Sequence, residues 1–187
     1  SMNKRIFDIL FSLFFILFFW WIFLIISILI YFKDGFPILY FADRKGANKK
    51  VFTCFKFRSM SNHIEANKRN ITTLGHFIRN TNLDEIPQFF NILRGDMSVV
   101  GPRPHDIGED IIFEKNIPNY NQRFNTKPGL TGYAAIMGNR GGNDIEKIKE
   151  RTKLDLYYIE NQSILFDIEI ILKTAKLTIS NIYNRLF

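Results

Sequence analysis

The chain has one cysteine, Cys54, among 187 residues, so it can build no intramolecular disulfide framework, and that usage suits a reducing compartment. The usual signatures of soluble enzymes are missing too: no G-x-G-x-x-G, no phosphate-binding G-x-x-x-x-G-K-[ST], no H-E-x-x-H and no G-x-S-x-G. Its three histidines, His63, His76 and His105, lack metal-ligand spacing and read as incidental. Internal repeats and low-complexity tracts are absent. The most informative absence is local. From Ile9 to Phe32 there is no charged residue, and no proline or glycine lies between Lys4 and Lys33. Nine of the twenty phenylalanines fall between Phe7 and Phe36. A disordered tail and a plain soluble enzyme are both excluded by that distribution. The length suits one compact domain beside the apolar segment and is too short for two.

At about 1.5 Å per helical residue, the stretch from Ile9 to Phe32 is long enough for a hydrocarbon core of about 30 Å. It is too long for a signal-peptide core, and no small-residue cleavage site follows. Length alone supports a spanning helix. Charge argues otherwise: Lys4 and Arg5 precede the segment, and Lys33, Arg44, Lys45, Lys49 and Lys50 follow it. The positive-inside bias draws both ends to the cytoplasm, which a re-entrant hairpin satisfies. Trp20-Trp21 stands at the midpoint.

The formal charge is +7, and it is uneven. Up to Asn62 nine cations face Asp8, Asp34 and Asp43. The excess therefore flanks the apolar stretch, which points to anionic lipid rather than to nucleic acid, so no nucleic-acid partner is expected.

Beyond Gly35 and Pro37, Ile38 to Phe41 and Val51 to Phe57 read as short strands around a turn-rich Asp43 to Asn48. Asn62 to Asn70 is polar, a helix or a loop. Leu74 to Asn80 has helical spacing, with a break at Asn82. Asp84 to Leu93 carries a helical apolar stripe with Pro87 in its first turn and Gly95 as its stop. Ser98 to Pro104 reads as an extended rigid loop, and Lys127 to Gly132 and Gly138 to Gly142 as further loops. From Ile145 to the end the helical period returns. Its broad apolar faces, edged by Lys173 and Lys176, suit either a core or a membrane interface.

The chemistry left to this sequence is that of carboxylates and arginines. Cys54 lies among apolar residues and reads as a packed thiol. Asp84-Glu85 opens a predicted helix, where free N–H groups favour anions. The bland alternative is an N-cap aspartate beside a solvated glutamate. Arg79 lies just upstream, and Arg103 is clamped between Pro102 and Pro104. Rigid guanidinium groups fork phosphate oxygens, and adjacent carboxylates suit Mg²⁺ with phosphate completing its shell. A rival from another class is a non-catalytic, membrane-anchored basic module that binds anionic lipid or nucleic acid. It explains the charge and the anchor, but not Asp84-Glu85 beside Pro102-Arg103-Pro104.

Three blocks, Lys56-Phe-Arg-Ser-Met60, Leu83-Asp-Glu-Ile-Pro-Gln-Phe-Phe-Asn-Ile-Leu-Arg-Gly-Asp-Met-Ser-Val-Val-Gly-Pro-Arg-Pro104 and Lys127-Pro-Gly-Leu-Thr-Gly132, resemble the bacterial sugar transferase family. These are the small monotopic polyprenol-phosphate phosphoglycosyl transferases, and the likeness runs in order from Lys4-Arg-Ile-Phe-Asp8 to the C-terminal helices. The resemblance implies that a UDP-sugar donates sugar-1-phosphate to undecaprenyl phosphate and releases UMP. That reaction is the first membrane step of glycoconjugate synthesis. It implies Asp84 as nucleophile with Glu85 beside it and Mg²⁺ held by the pair. By the same resemblance Lys56, Arg58, Arg79, Pro102, Arg103, Pro104 and Arg140 fall in the substrate site. The fold expected is α+β, mostly helical. Residues 1–34 would form a re-entrant membrane helix, bent near Phe18 to Ile22. Residues 35–187 would form a catalytic domain with interfacial amphipathic helices, at the cytoplasmic face of the bacterial inner membrane. Family members bend the helix at Ser-Pro, where this chain has Trp20-Trp21.

Overall fold

The computed structural model describes residues 2–63, 66–142 and 144–186. It is mostly helical with two small sheets, as the sequence led one to expect. Helix α1, Met2–Asp34, is the apolar segment, and only 11% of its most apolar window is buried, so it is no ordinary core helix. Its helical geometry breaks at Phe19 (φ −115°, ψ 17°), within the predicted bend. No proline makes the break. Trp21 Nε1 donates to Phe18 O at 3.1 Å and so satisfies a carbonyl at the kink.

Both ends of α1 are tied to the same domain. Near its start, Arg5 donates to Ile92 O (2.5 Å) and Leu93 O (2.7 Å), carbonyls of the last turn of helix α3 (Gln88–Arg94). Asp8, buried, accepts from Ser98 Oγ and Val99 N at 3.0 Å each. Lys4 pairs with buried Asp167 at 2.5 Å. At the other end, Thr72 Oγ1 donates to Asp34 Oδ2 at 2.8 Å, and Arg58 donates to the carbonyls of Asp34 and Gly35. Between these anchors Ile26 and Ile30 enter the core, while Leu17, Phe18, Trp20 and Leu24 stay exposed.

Strands β1 (Leu39–Lys45) and β2 (Val51–Phe57) form the predicted antiparallel hairpin, with Leu39 opposite Phe57 and Lys45 opposite Val51. β1 runs further than expected and takes up Asp43 to Lys45. Asn91 covers the outer edge of β2 by accepting from Phe55 N and donating to Thr53 O. Of the polar stretch Asn62 to Asn70, Ile64 and Glu65 lie outside the described residues, and Ala66–Lys68 is one 3₁₀ turn. Helix α2 (Thr73–Asn80) is capped by Thr72, whose hydroxyl accepts from Gly75 N.

The largest local difference from expectation precedes α3. Asp84 and Glu85 do not open an α-helix; they sit in a 3₁₀ turn, Leu83–Glu85, and α3 begins only at Gln88. The cause is Pro87, which has no N–H to donate to Leu83 O. The turn therefore closes through tighter bonds, Glu85 N to Asn82 O and Ile86 N to Leu83 O. Asn82 starts it in the left-handed region at φ 59°, a conformation asparagine tolerates. Gly95, at φ 95°, ends α3 as predicted.

Two stretches read as loops are strands. β3 (Ser98–Val100) pairs in parallel with β4 (Gly129–Thr131). The pairing needs glycine: a Cβ on Gly129 would lie 2.1 Å from Gly101 N. This contact fixes the loop that carries Arg103. Helices α4 (Ile107–Asn116), α5 (Tyr133–Ile136), α6 (Ile145–Asn161) and α7 (Ile164–Leu186) complete the fold. The main core joins Ile30, Cys54, Ile78, Ile92, Met97, Val100 and Tyr158; a smaller one gathers Phe113, Tyr120 and Ile148. α7 answers both readings of its apolar faces: Ile170 is buried, whereas Leu165, Leu172 and Ile179 are exposed.

Candidate active site

A cleft of about 770 Å³ opens between the hairpin, the Asp84 turn, the Pro102–Pro104 segment and the Gly138–Gly142 loop. Eight cationic side chains line it, against the four carboxylates Asp84, Glu85, Asp106 and Glu109. A cavity of that charge suits an anionic ligand.

Glu85 is the electrostatic hub. Its side chain is 4% exposed and meets three cations. Arg103 forks it, Nη1 to Oε2 at 3.0 Å and Nη2 to Oε1 at 2.7 Å. Lys56 Nζ reaches Oε1 at 3.0 Å, and Arg140 pairs with Oε2. Burial alone would raise its pKa, but Arg103, Lys56 and Arg140 outweigh that and hold it well below the usual range.

Asp84, the neighbouring residue, is in the opposite state. It is buried, yet among the described residues its carboxylate has no hydrogen-bond or ion-pair partner. Burial, then the charge of Glu85, lifts it from 3.8 to about 6, against the pull of Lys56, Arg103 and Arg79. Two adjacent carboxyl groups thus differ sharply: Glu85 is clamped by cations and held charged, and Asp84, without a partner among the described residues, is raised to about 6. Such a split marks acids with separate roles.

Of the residues expected in the site, Lys56, Arg79, Arg103, Pro104 and Arg140 line the cleft with the dyad. Arg79 is exposed, and among the described residues only Ser59 Oγ meets its side chain, at Nε and 2.7 Å, which leaves its other donors facing the cleft. The fork of Arg103 holds Glu85, which leaves its three other N–H groups. Arg58 departs from expectation. Although it borders the cleft, it donates to the carbonyls of Asp34, Gly35, Pro37 and Met60 and so ties the end of α1 to β2. Pro102 is buried and outside the cleft lining, and its carbonyl accepts from Gly129 N. Its part is structural. Cys54 is the packed thiol expected, pushed up to about 11 by burial.

Sequence reasoning missed a buried polar network behind Arg103. His105, read as incidental, accepts at Nε2 from Arg151 (2.9 Å) and donates from Nδ1 to Tyr120 Oη (2.5 Å). Tyr120 in turn donates to Asp110 Oδ1 at 2.7 Å. Burial, reinforced by Arg123 and Arg151, keeps His105 neutral. Arg123, ion-paired with Asp155 at 2.8 Å, donates to Arg103 O at 2.7 Å and fixes that segment from behind. Arg69, also missed, lines the cleft, donating to His63 O from Nε. The one sequence signal for this network was an arginine, Arg123, inside the apolar-flanked Tyr120 to Phe124.

Among the described residues no group of three or more His, Cys, Asp or Glu could hold a metal ion. Asp84, unpaired, fits Mg²⁺ as one carboxylate with phosphate oxygens supplying the rest. Glu85 does not fit: both of its oxygens already face cations.

This architecture, an unpaired carboxylate in a cationic cleft beside a kinked apolar helix, agrees with what comparison finds. The bacterial sugar transferase profile matches residues 1–181, and the chain belongs to that family. It is 40% identical over 148 residues to the UDP-glucose:undecaprenyl-phosphate glucose-1-phosphate transferase of Escherichia coli (strain K12), covering 74% of this chain and 32% of that protein. Over 185 residues it is 40% identical to the exopolysaccharide production protein PSS of Rhizobium leguminosarum bv. phaseoli, covering 92% of each. A UDP-N-acetylgalactosamine-undecaprenyl-phosphate N-acetylgalactosaminephosphotransferase of Aeromonas hydrophila is 33% identical over 158 residues, 80% of this chain and 37% of that one. The chain thus spans about a third of the length of the Escherichia coli relative, and nearly all of the Rhizobium one.

Proposed function

We propose that the protein transfers sugar-1-phosphate from a UDP-sugar to undecaprenyl phosphate through a covalent intermediate on Asp84, releasing UMP. The observation that carries this reading is the pairing of Asp84, buried and unpartnered, with Glu85, locked by three cations.

In the first step a carboxylate oxygen of Asp84 attacks the donor's β-phosphorus, and the bond to the bridging oxygen breaks. UMP leaves with that electron pair, and the sugar phosphate remains as an acyl phosphate. In the second step the acceptor's phosphate oxygen attacks the same phosphorus, and Asp84 departs as a carboxylate. The division into two steps lets a soluble donor and a membrane-bound acceptor use one site in turn. Lys56, Arg103 and Arg140 keep Glu85 charged and fixed, so their field is preorganised over the phosphoryl group. Arg79 and Arg69, with uncommitted N–H groups, suit the donor's phosphates. Mg²⁺ bound at Asp84 would supply further neutralisation of phosphate charge.

The apolar helix completes the reading. Its two ends grip one domain, which supports a re-entrant segment with both ends on one side of a bilayer and the kinked middle dipping in. A cytoplasmic nucleotide sugar supports a domain at the cytoplasmic face of the inner membrane. The exposed apolar face of α7 would rest on the membrane surface. A panel of UDP-sugars with undecaprenyl phosphate and Mg²⁺ tests the function. UMP release with at least one donor is expected, and none with any common UDP-sugar would favour the non-catalytic lipid-binding module.

A further inference from the structure

The β1–β2 hairpin has two chemically different faces. One presents Tyr40, Arg44 and Lys56 to the catalytic cleft, where Lys56 meets Glu85 at 3.0 Å. Side chains alternate along a strand, and the register sets Phe41 opposite Phe55, so these stand on the other face beside Leu39. There Leu39, Phe41 and Phe55, with Phe90, Leu93 and Arg94 of α3, wall an open apolar groove of about 660 Å³. Phe41 is 56% and Phe90 45% exposed, a large apolar surface to leave facing water. The Phe90 ring also lies 6.0 Å from that of Phe23, so the groove borders α1.

The groove is continuous with the cleft. Leu39 belongs to both walls, and the next residue, Tyr40, pairs with Lys56, which holds Glu85. An occupant that crosses Leu39 passes from a cation-lined cavity into an apolar one within the width of a strand.

We propose that this groove holds the first isoprene units of the acceptor's polyprenyl chain while its phosphate lies in the cleft. The proposal rests on the function proposed above and names where the acceptor lies within it. A polyprenyl phosphate joins one anionic head to a long, methyl-branched apolar chain. Its head needs the cations of the cleft, and its chain must then leave without crossing water. The exit over Leu39 leads into the groove and on to the apolar helix. Phe41 and Phe55 meet edge to face at 5.5 Å, a corrugated wall that a branched chain can fill. An ordinary phospholipid tail has no need of a junction with the phosphate-binding cleft.

Photocrosslinking tests this without turnover. The full chain with p-benzoylphenylalanine at position 41, in phosphatidylethanolamine–phosphatidylglycerol nanodiscs containing undecaprenyl phosphate, is irradiated and weighed intact. An adduct of undecaprenyl phosphate mass, in excess of that lipid's share of the bilayer, supports the proposal. Adducts in proportion to lipid abundance, a crosslink to a second copy of the chain, or no adduct would overturn it. A kinetic arm uses the Phe41→Ser/Phe90→Ser double variant. KM should rise about tenfold for undecaprenyl phosphate and by less than about twofold for the UDP-sugar donor, which does not enter the groove. An equal rise for both, or none, would also overturn it. If the wild type released no UMP at all, the proposed function would fall while the crosslink still decided whether the groove takes the chain.

Discussion

Replacing Asp84 by asparagine should make the protein more stable while it removes activity. Asparagine copies the neutral carboxylic acid in size and shape but cannot ionise. In the folded chain the acid is lifted from 3.8 to about 6 by burial and by Glu85. The sign follows directly. Below pH 3.8 the group is protonated in both folded and unfolded chains and costs nothing extra. Between pH 3.8 and 6 the folded chain keeps a proton that the unfolded chain has released, so stability falls across that window, and above 6 the folded state holds the buried charge at full cost. At about 1.4 kcal/mol per tenfold change in proton affinity, the rise amounts to about 3 kcal/mol at pH 8. For a chain of this length, about 2–4 °C of Tm per kcal/mol gives a gain of about 6–12 °C. Thermal unfolding of wild type and Asp84→Asn in the same detergent, at pH 8 and again near pH 4, measures it. The gain should be present at pH 8 and nearly absent at pH 4. A variant no more stable than wild type at pH 8, or equally stabilised at both, would refute the account of an unpaired, strained nucleophile.

Glu85→Gln should act in the opposite sense. It strands three cations, so unfolding in denaturant at pH 7 should show a loss of about 3–5 kcal/mol, shrinking as pH falls below 4.5, where the unfolded chain takes up a proton that folded Glu85, held well below that value, does not. The acid limb of the transfer rate should have its midpoint near pH 6, set by Asp84, and a limb near 4 would assign the base elsewhere. Arg103→Lys keeps the charge but loses the fork, so steady-state turnover should fall by about tenfold or more. A cysteine placed at Asn3 in a Cys54→Ser background should resist an impermeant thiol reagent on spheroplasts until the membrane is permeabilised.

How much of this was legible in the sequence depended on the range of the interactions. The hairpin, α2, α6 and α7 rest on local period and turn residues, and all appear where those signals lie. The bend in α1 lies where the midpoint and the position aligned with the family's Ser-Pro put it, although its device, the Trp21 indole on Phe18 O, was not foreseen. Parallel pairing of β3 with β4 joins segments about thirty residues apart in sequence and leaves each too short to show a strand period. The dyad could be read from its neighbours, but not the inequality of its members. That inequality comes from Arg103, Lys56 and Arg140, distant in sequence and brought to Glu85 by the fold. Arg58 and His105 show the converse: the family resemblance implied a substrate role for Arg58, and spacing gave none to His105. Backbone carbonyls claim the first, and two buried arginines surround the second.

The central claim is that Asp84 carries the sugar phosphate. Intact-protein mass spectrometry after incubation with an active UDP-sugar, Mg²⁺ and no acceptor tests it most directly. The account predicts a mass gain of one sugar phosphate, mapped to Asp84, discharged by undecaprenyl phosphate and absent in Asp84→Asn. UMP release without any adduct, or an adduct that persists in Asp84→Asn, would contradict it.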